Sequence, residues 1–306
     1  MSAEGGTRAI LAAFVANVGI AITKFVAFLV SGSSSMLAES VHSLADSGNQ
    51  VLLLVGGRRA RRTATPEHPF GYGRERYIYA FVVSIVLFTV GGLFSLYEGW
   101  HKIQHPEELT NVAVPIVVLV IAIGLESFSL RTAVHESNKV RGGLPWVTYV
   151  RRAKAPELPV VLLEDVAALI GLVLALFGVG LSALTGDAVW DGIGTIAIGT
   201  LLVLIAVVLA IETKSLLVGE GGAPEDVDAI RAAVLAVEGI DAVIHLKTLY
   251  LGPDQLLVAA KVAVTPTDSA AVVADAIDLA ESGIREAVPV ATVIYLEPDI
   301  YRAPVR

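Results

Sequence analysis

Long apolar stretches separated by short polar ones dominate the first two thirds of this chain. The runs at residues 10–30, 36–57, 78–100, 112–130, 158–184 and 193–211 each approach or exceed the ~20 residues that a helix needs to cross a bilayer. Six membrane-spanning helices are therefore predicted, and an even number returns both ends of the chain to one side. After residue 211 the pattern shortens. Residues 214–222 contain Gly219, Gly221 and Gly222 and read as a hinge, and Pro224, Glu225 and Asp226 suit the first turn of a helix. Val227, Ile230, Val234 and Val237 then mark one helical stripe. Residues 243–251 and 256–264 are rich in β-formers and joined by Gly252, Pro253, Asp254 and Gln255, a hairpin signal. A second helix, capped by residues 265–268 and reaching about residue 287, leads to a third strand at 291–296. The order α-β-β-α-β makes a small α+β domain of ferredoxin-like type, short enough that pairing with a second copy is plausible.

Composition agrees with a multispanning membrane protein rather than a soluble enzyme: 306 residues, 55% hydrophobic, 17% charged and a mean hydropathy of +0.70. The expected organisation is a six-span membrane domain at 1–213, the hinge at 214–222 and the α+β domain at 223–306. Residues 1–8 lead into a long span with no short hydrophobic region ending in a cleavage site, so no cleavable signal is expected. The second-to-third connection carries Arg58, Arg59, Arg61, Arg62, Arg74 and Arg76, and the fourth-to-fifth carries Lys139, Arg141, Arg151, Arg152 and Lys154. The opposite loops hold little beyond Lys102, so both termini and both basic loops are expected in the cytoplasm. Beside a span, the arginines at 58–62 set topology, and no nucleic-acid partner is expected. The net charge of −8 reflects an acidic tail, and the absence of cysteine excludes disulfides and thiolate metal sites.

Candidate chemistry lies within the membrane. His42 and Asp46 are four residues apart in the second span, so their side chains stack on one helix face. An Asp at a helix centre in a bilayer costs roughly 2.5–3.5 kcal/mol on the gentlest scale, so it requires a partner, an ion or a water path. One imidazole nitrogen and one carboxylate oxygen supply half of a tetrahedral site for a borderline-soft divalent ion such as zinc; a hydrogen-bonded packing pair is the alternative. Glu39 and Asn49 share that face and serve either a pathway or helix packing. Glu126, with Ser127 and Ser129 beside it, reads as a proton relay, a ligand or an ion-pair partner of Lys24. Gly91, Gly92, Gly178 and Gly180 permit close helix approach. A metal-dependent hydrolase would need an HExxH-like pair or a nucleophile with its base, and the sequence has neither.

Residues 37–50 (LAESVHSLADSGNQ), 68–77 (HPFGYGRERY), 91–100 (GGLFSLYEGW) and 215–220 (SLLVGE) together resemble the cation diffusion facilitator family. Glu39 to His42 with Asn49 and Gln50, and residues 163–168, are most similar to the zinc transporter nine-like branch and its bacterial relatives. The resemblance implies a homodimer that exports divalent metal, usually Zn2+, in exchange for protons, with zinc as cargo, no cofactor and no enzymatic activity. A bacterial plasma membrane is the expected setting. It also implies metal ligands at His42 and Asp46 on span two and Asp165 on span five. The position one turn before Asp165 is Val161, which cannot ligate, so water, the adjacent Glu164 or another intramembrane carboxylate completes the site. His68 matches a ligand of a second site in the cytoplasmic loop, but its usual histidine partner is replaced by Tyr72. In the tail the matching metal positions are Ile244, Ala271 and Tyr295, with Glu297 retained and His245 the one histidine, so a high-affinity tail site is not expected. His101 and His105 are expected in solvent. Mn2+, Fe2+, Co2+ or Ni2+ as cargo, and a metal-binding regulator without transport, are the alternatives.

Overall fold

The computed structural model describes residues 3–106 and 109–301, with side chains from Asn17 onward, so the expectation for residues 1–8 lies outside the described side chains. The chain divides into two compact units, Met1–Gly57 with Ile78–Thr213, and Arg58–Tyr77 with Lys214–Arg306.

The first unit is a helical bundle. Its long helices are α1 (Ala3–Ser31), α2 (Ser34–Ala60), the continuous stretch of α3 (Glu75–Val86), a π-helical segment (Leu87–Leu93) and α4 (Phe94–Gln104), then α5 (Ala113–Val140), α7 (Glu157–Thr185) and α8 (Val189–Val218). A short helix α6 (Trp146–Arg152), not anticipated from the sequence, lies in the basic connection. Four of the long stretches, Glu75–Gln104, Ala113–Val140, Glu157–Thr185 and Val189–Val218, are apolar enough to cross a membrane, while the described apolar part of α1, Asn17–Ser31, is shorter. α2 differs in kind. Its length suffices, but Glu39, His42, Asp46, Asn49 and a series of serines interrupt its apolar residues.

The burial pattern is that of a bundle in lipid. Leu29, Phe128, Phe177 and Leu184 face outward, whereas Lys24, Glu39, His42, Asn49 and Asp191 are hidden. Small residues bring the helices close. A Cβ on Gly92 would lie 2.6 Å from Val203 Cγ2, one on Gly99 2.8 Å from the Gly192 carbonyl oxygen, and one on Gly178 3.1 Å from the Trp190 carbonyl oxygen. Gly91 would meet Leu202 Cδ1 at 3.3 Å, but Gly180 has nothing within 4 Å, so the packing role holds for Gly91, Gly92 and Gly178 and not for Gly180.

At the Ser34 end of α2 the carboxylate of Asp191, from the first turn of α8, acts as a cap supplied by another helix. It accepts from Ser34 N at 2.7 Å, Ser33 Oγ at 2.9 Å, Ser34 Oγ at 3.0 Å and Ser35 N at 3.4 Å. An anion is favoured there because the amides at a helix start lack intrahelical acceptors and carry the positive end of the dipole.

The second unit contains α9 (Pro224–Leu235), β1 (Ile240–Gly252), β2 (Gln255–Val264), α10 (Ala270–Ala287) and β3 (Val293–Asp299), the α-β-β-α-β order read from the sequence. The sheet order is β1-β2-β3, with β1 and β2 antiparallel and β2 and β3 parallel, so α10 is the crossover. Ile230 and Val234 of the predicted stripe join Leu256, Val258, Val262, Ala280 and Ile284 in the core. Three local expectations change. α8 runs to Val218, so residues 214–218 are helical and only 219–223 remain as connection. The cap of α10 is Ser269, whose side chain accepts from Val272 N at 3.4 Å, while Thr265 and Asp268 close a separate turn. β3 starts at Val293 because Ala291 and Thr292 are held in a turn with Val288 and Val290. The loop from α2 to α3 belongs to this unit: Arg76 Nη1 lies 2.9 Å from Asp254 Oδ2, and a Cβ on Gly252 would meet Gly73 Cα at 2.8 Å.

Replacing Asp191 by Ala removes the carboxylate that accepts from the buried hydroxyls of Ser33 and Ser34 and from the amides of Ser34 and Ser35. The expected cost is about 2 kcal/mol or more, read as a lower unfolding midpoint of the detergent-solubilised protein. An unchanged midpoint would remove the cap from the account of stability.

Candidate metal centre

Helical geometry sets Glu39, His42, Asp46 and Asn49 along one side of α2, and that side faces into the bundle: Glu39, His42 and Asn49 are all buried. Beside Asp46 lies a cavity of about 20 Å³, room for one water-sized occupant. Its walls are Ser43, Asp46 and Gln50 from α2, Glu126 and Ser129 from α5, Val161, Glu164 and Asp165 from α7, and Asn17 and Ile20 from α1. Four carboxylates from three helices thus converge at membrane depth. Unlike the larger groove of about 800 Å³ between α5, α6, α7 and α8, whose lining is mainly Leu, Val and Ile, this cavity needs positive charge, from a metal ion or from protons.

Adjacent residues of a helix point about 100° apart, yet Glu164 and Asp165 both reach the cavity, because each is drawn to a different neighbour. Asn49 Nδ2 of α2 donates to Glu164 Oε1 at 2.7 Å, and Ser129 Oγ of α5 donates to Asp165 Oδ2 at 3.0 Å. Val161 lines the same wall, so the position one turn before Asp165 faces the site but offers no donor atom.

Asp46 is less satisfied. Its Oδ1 has no hydrogen-bond partner among the described residues, and its Oδ2 is 3.5 Å from His42 Nε2. Neither ring nitrogen of His42 has a hydrogen bond there, although the residue is buried. His42 does not line the cavity. It lies against the π segment, where a Cβ on Gly91 would be 3.9 Å from its Nδ1. Unpaired buried polar atoms are costly, and at a candidate site they call for a partner of another kind. Among the described residues no three His, Asp or Glu side chains are arranged to hold a metal ion. The structure therefore brings Asp46, Asp165, Glu164 and Glu126 together around the cavity, with His42 outside its lining but with Nε2 3.5 Å from Asp46 Oδ2, a separation that two ligands of one tetrahedral ion can have.

Other expectations are corrected or relocated. Glu126 is not the partner of Lys24, which donates to Glu39 Oε2 at 2.9 Å and Ser43 Oγ at 2.8 Å. His68 is exposed and its ring lies 4.6 Å from that of Tyr72, the residue in the place of a second ligand. His101 and His105 are exposed, with ring centroids 4.9 Å apart. Glu297 is held by Lys261, 3.0 Å from its Oε1, and those hydrogen bonds, together with one to Asp299, raise the Lys261 pKa. His245 is exposed opposite Lys261 on the neighbouring strand. Sequence reasoning missed Asn17 and Ser43. The i,i+3 pair of Glu126 and Ser129 on an otherwise apolar helix was the signal for that wall of the cavity.

Membrane-length helices thus converge on a small carboxylate-lined cavity, and a compact α+β domain follows them in the chain. The chain belongs to the cation efflux family: residues 10–218 match the cation efflux transmembrane domain, and residues 223–299 match the cation efflux protein cytoplasmic domain. It is similar to the human proton-coupled zinc antiporter SLC30A9, mitochondrial, at 30% identity over 251 residues, 81% of this chain and 44% of that protein. Metal tolerance protein C4 of Arabidopsis thaliana is 28% identical over 80% of this chain and 54% of its own length. Zinc transporter ZitB of Pectobacterium atrosepticum is 29% identical over 119 residues, 39% of this chain and 36% of that protein. The chain spans about half the length of the first two of these relatives.

Asp46→Asn and Asp165→Asn each remove a charge while keeping shape, and each is expected to weaken divalent-metal binding by more than about tenfold, measured by calorimetry in detergent. Val161→His adds a donor to the cavity wall and should tighten zinc binding. If it changes nothing in a well-folded protein, the side chain at 161 does not face the ion.

Proposed function

We propose that the chain exports Zn2+ from the cytoplasm in exchange for protons, as a homodimer, with Asp46 and Asp165 as cavity ligands and His42 joining them when the bundle changes shape. The observation that carries this reading is the convergence of Asp46, Glu126, Glu164 and Asp165 on one water-sized cavity, next to an imidazole with no hydrogen bond of its own. Carboxylates and imidazole bind metal only when deprotonated, so arrival of the ion displaces protons and its departure lets them return. That exchange at one set of atoms, with the helices rocking around it, is sufficient for antiport. Glu164, tied to Asn49, and Glu126, on the opposite wall, are placed to take up or release protons or to complete the coordination. His68 has no metal role in this reading.

The arginines and lysines of the two basic connections support cytoplasmic termini and a cytoplasmic α+β domain, and we place the membrane unit in a bacterial plasma membrane. Two copies joining through that domain and the membrane helices complete the unit. A second reading has one observation in its favour: the cavity is lined by oxygen donors while His42 stands outside, which suits an ion harder than zinc, such as Mn2+.

The test is a metal panel in proteoliposomes with an imposed pH gradient. Zinc uptake that dissipates the gradient is expected, and no metal-driven proton movement with any ion would sink the proposal. His42→Asp exchanges nitrogen for oxygen ligation and should lower the preference for Zn2+ over Mn2+. An unchanged ratio would exclude His42 from the coordination sphere.

A further inference from the structure

From the cavity toward the Ser34 end of α2, away from the basic connections, sits an ion pair that the site described above does not use. Lys24 Nζ of α1 lies 2.9 Å from Glu39 Oε2 and donates to Ser43 Oγ at 2.8 Å, and Ser43 is itself part of the cavity wall. The side chains of the pair are 1% and 0% exposed, so neither charge reaches solvent. Glu39 precedes Asp46 by seven residues, about 10 Å along the helix axis. Gly171 of α7 lies against the pair, six residues past Asp165 and so at a depth similar to that of Glu39. A Cβ there would sit 2.7 Å from Glu39 Oε1, which has no hydrogen-bond partner among the described residues. One ammonium and one carboxylate, with a glycine against the carboxylate, thus meet between α1, α2 and α7.

A pair of charges buried this deeply is a poor device for stability alone, since desolvation offsets much of their attraction. As a barrier it suits a cation path, because an ammonium in the way repels the ion and the pair fills the passage. We propose that Lys24 and Glu39 form the gate at the release end of the transport path: closed when the cavity is reached from the side of the basic connections, and parted when the ion leaves. The proposal rests on the transport reading above. It gives Glu39 a role distinct from ligation, since one carboxylate oxygen is held by Lys24 in the closed state.

The chain has no cysteine, so a single Ile20→Cys substitution places a unique thiol in the cavity wall. The measurement is the rate at which a membrane-impermeant maleimide, added from the side opposite the basic connections to oriented vesicles containing chelator, labels that thiol. Labelling is expected to be slow in the Ile20→Cys parent and about tenfold or more faster after Lys24→Met or Glu39→Gln. It should slow again in the double variant Lys24→Glu with Glu39→Lys, which restores the pair in reverse. Gly171→Ala leaves both charges in place but pushes the Glu39 carboxylate aside, and should also speed labelling, which covers the case in which a neutralised variant fails to insert. Zinc affinity of Lys24→Met in detergent should stay within about threefold of the parent. Unchanged labelling in the inserted variants would overturn the gate. So would a loss of zinc binding in Glu39→Gln that Lys24→Met does not share, because that pattern marks a ligand. Labelling requires no metal movement, so absence of zinc flux alongside gated labelling would count against the transport reading and leave the gate standing.

Discussion

Charge held inside a low-dielectric bundle must be compensated there, and this requirement organises the membrane unit. Three degrees of compensation occur along one helix. At the Ser34 end of α2 the carboxylate of Asp191 is surrounded by serine hydroxyls and backbone amides and needs nothing more. One turn further in, Glu39 is neutralised by Lys24 but keeps an oxygen unengaged. Deeper still, Asp46 has an oxygen with no partner among the described residues and faces only the His42 ring at 3.5 Å, and Glu164 and Asp165 receive one neutral donor each. Acidic groups therefore gather where protein groups balance their charge least, and that is where a proton or a metal ion would be stabilised most.

α7 shows how two acids can be adjacent in sequence without competing. Asn49 and Ser129 approach from different helices and pull the two carboxylates toward opposite walls of one cavity. The site thereby gains an acid in place of the side chain missing at Val161, although that acid arrives from another direction. An oxygen-rich, adjustable cavity of this sort differs from a rigid four-ligand cage.

Much of this architecture could be read before the structure was known. Spans of about 20 apolar residues announce themselves by length, and the hairpin around Pro253 and Asp254 by its turn chemistry, so the order of elements was legible. His42 and Asp46 stood out because charge is costly in an apolar run. What could not be read was partnership. Helical spacing assigns a residue to a face but does not say which neighbouring helix that face meets, so Lys24 was weighed against Glu126 when its partner is Glu39. The cap at Ser269 and the helical residues 214–218 escaped for a smaller reason: end positions depend on single hydrogen bonds that a pattern of apolar residues does not encode.

The π-helical segment Leu87–Leu93 has a consequence for how substitutions in the third span should be understood. Its wider turn shifts the rotational phase between α3 and α4, because i→i+5 hydrogen bonding admits more residues per turn than the flanking α-helix. Gly92 lies near the end of that segment and Gly99 in α4 beyond it, and both meet α8 at close range. A regular helix through the same sequence would put one of them out of line with α8. The segment thus works as a phase corrector, and losing one residue from it would rotate one half of the span against the other while leaving every side chain of the cavity unchanged in identity.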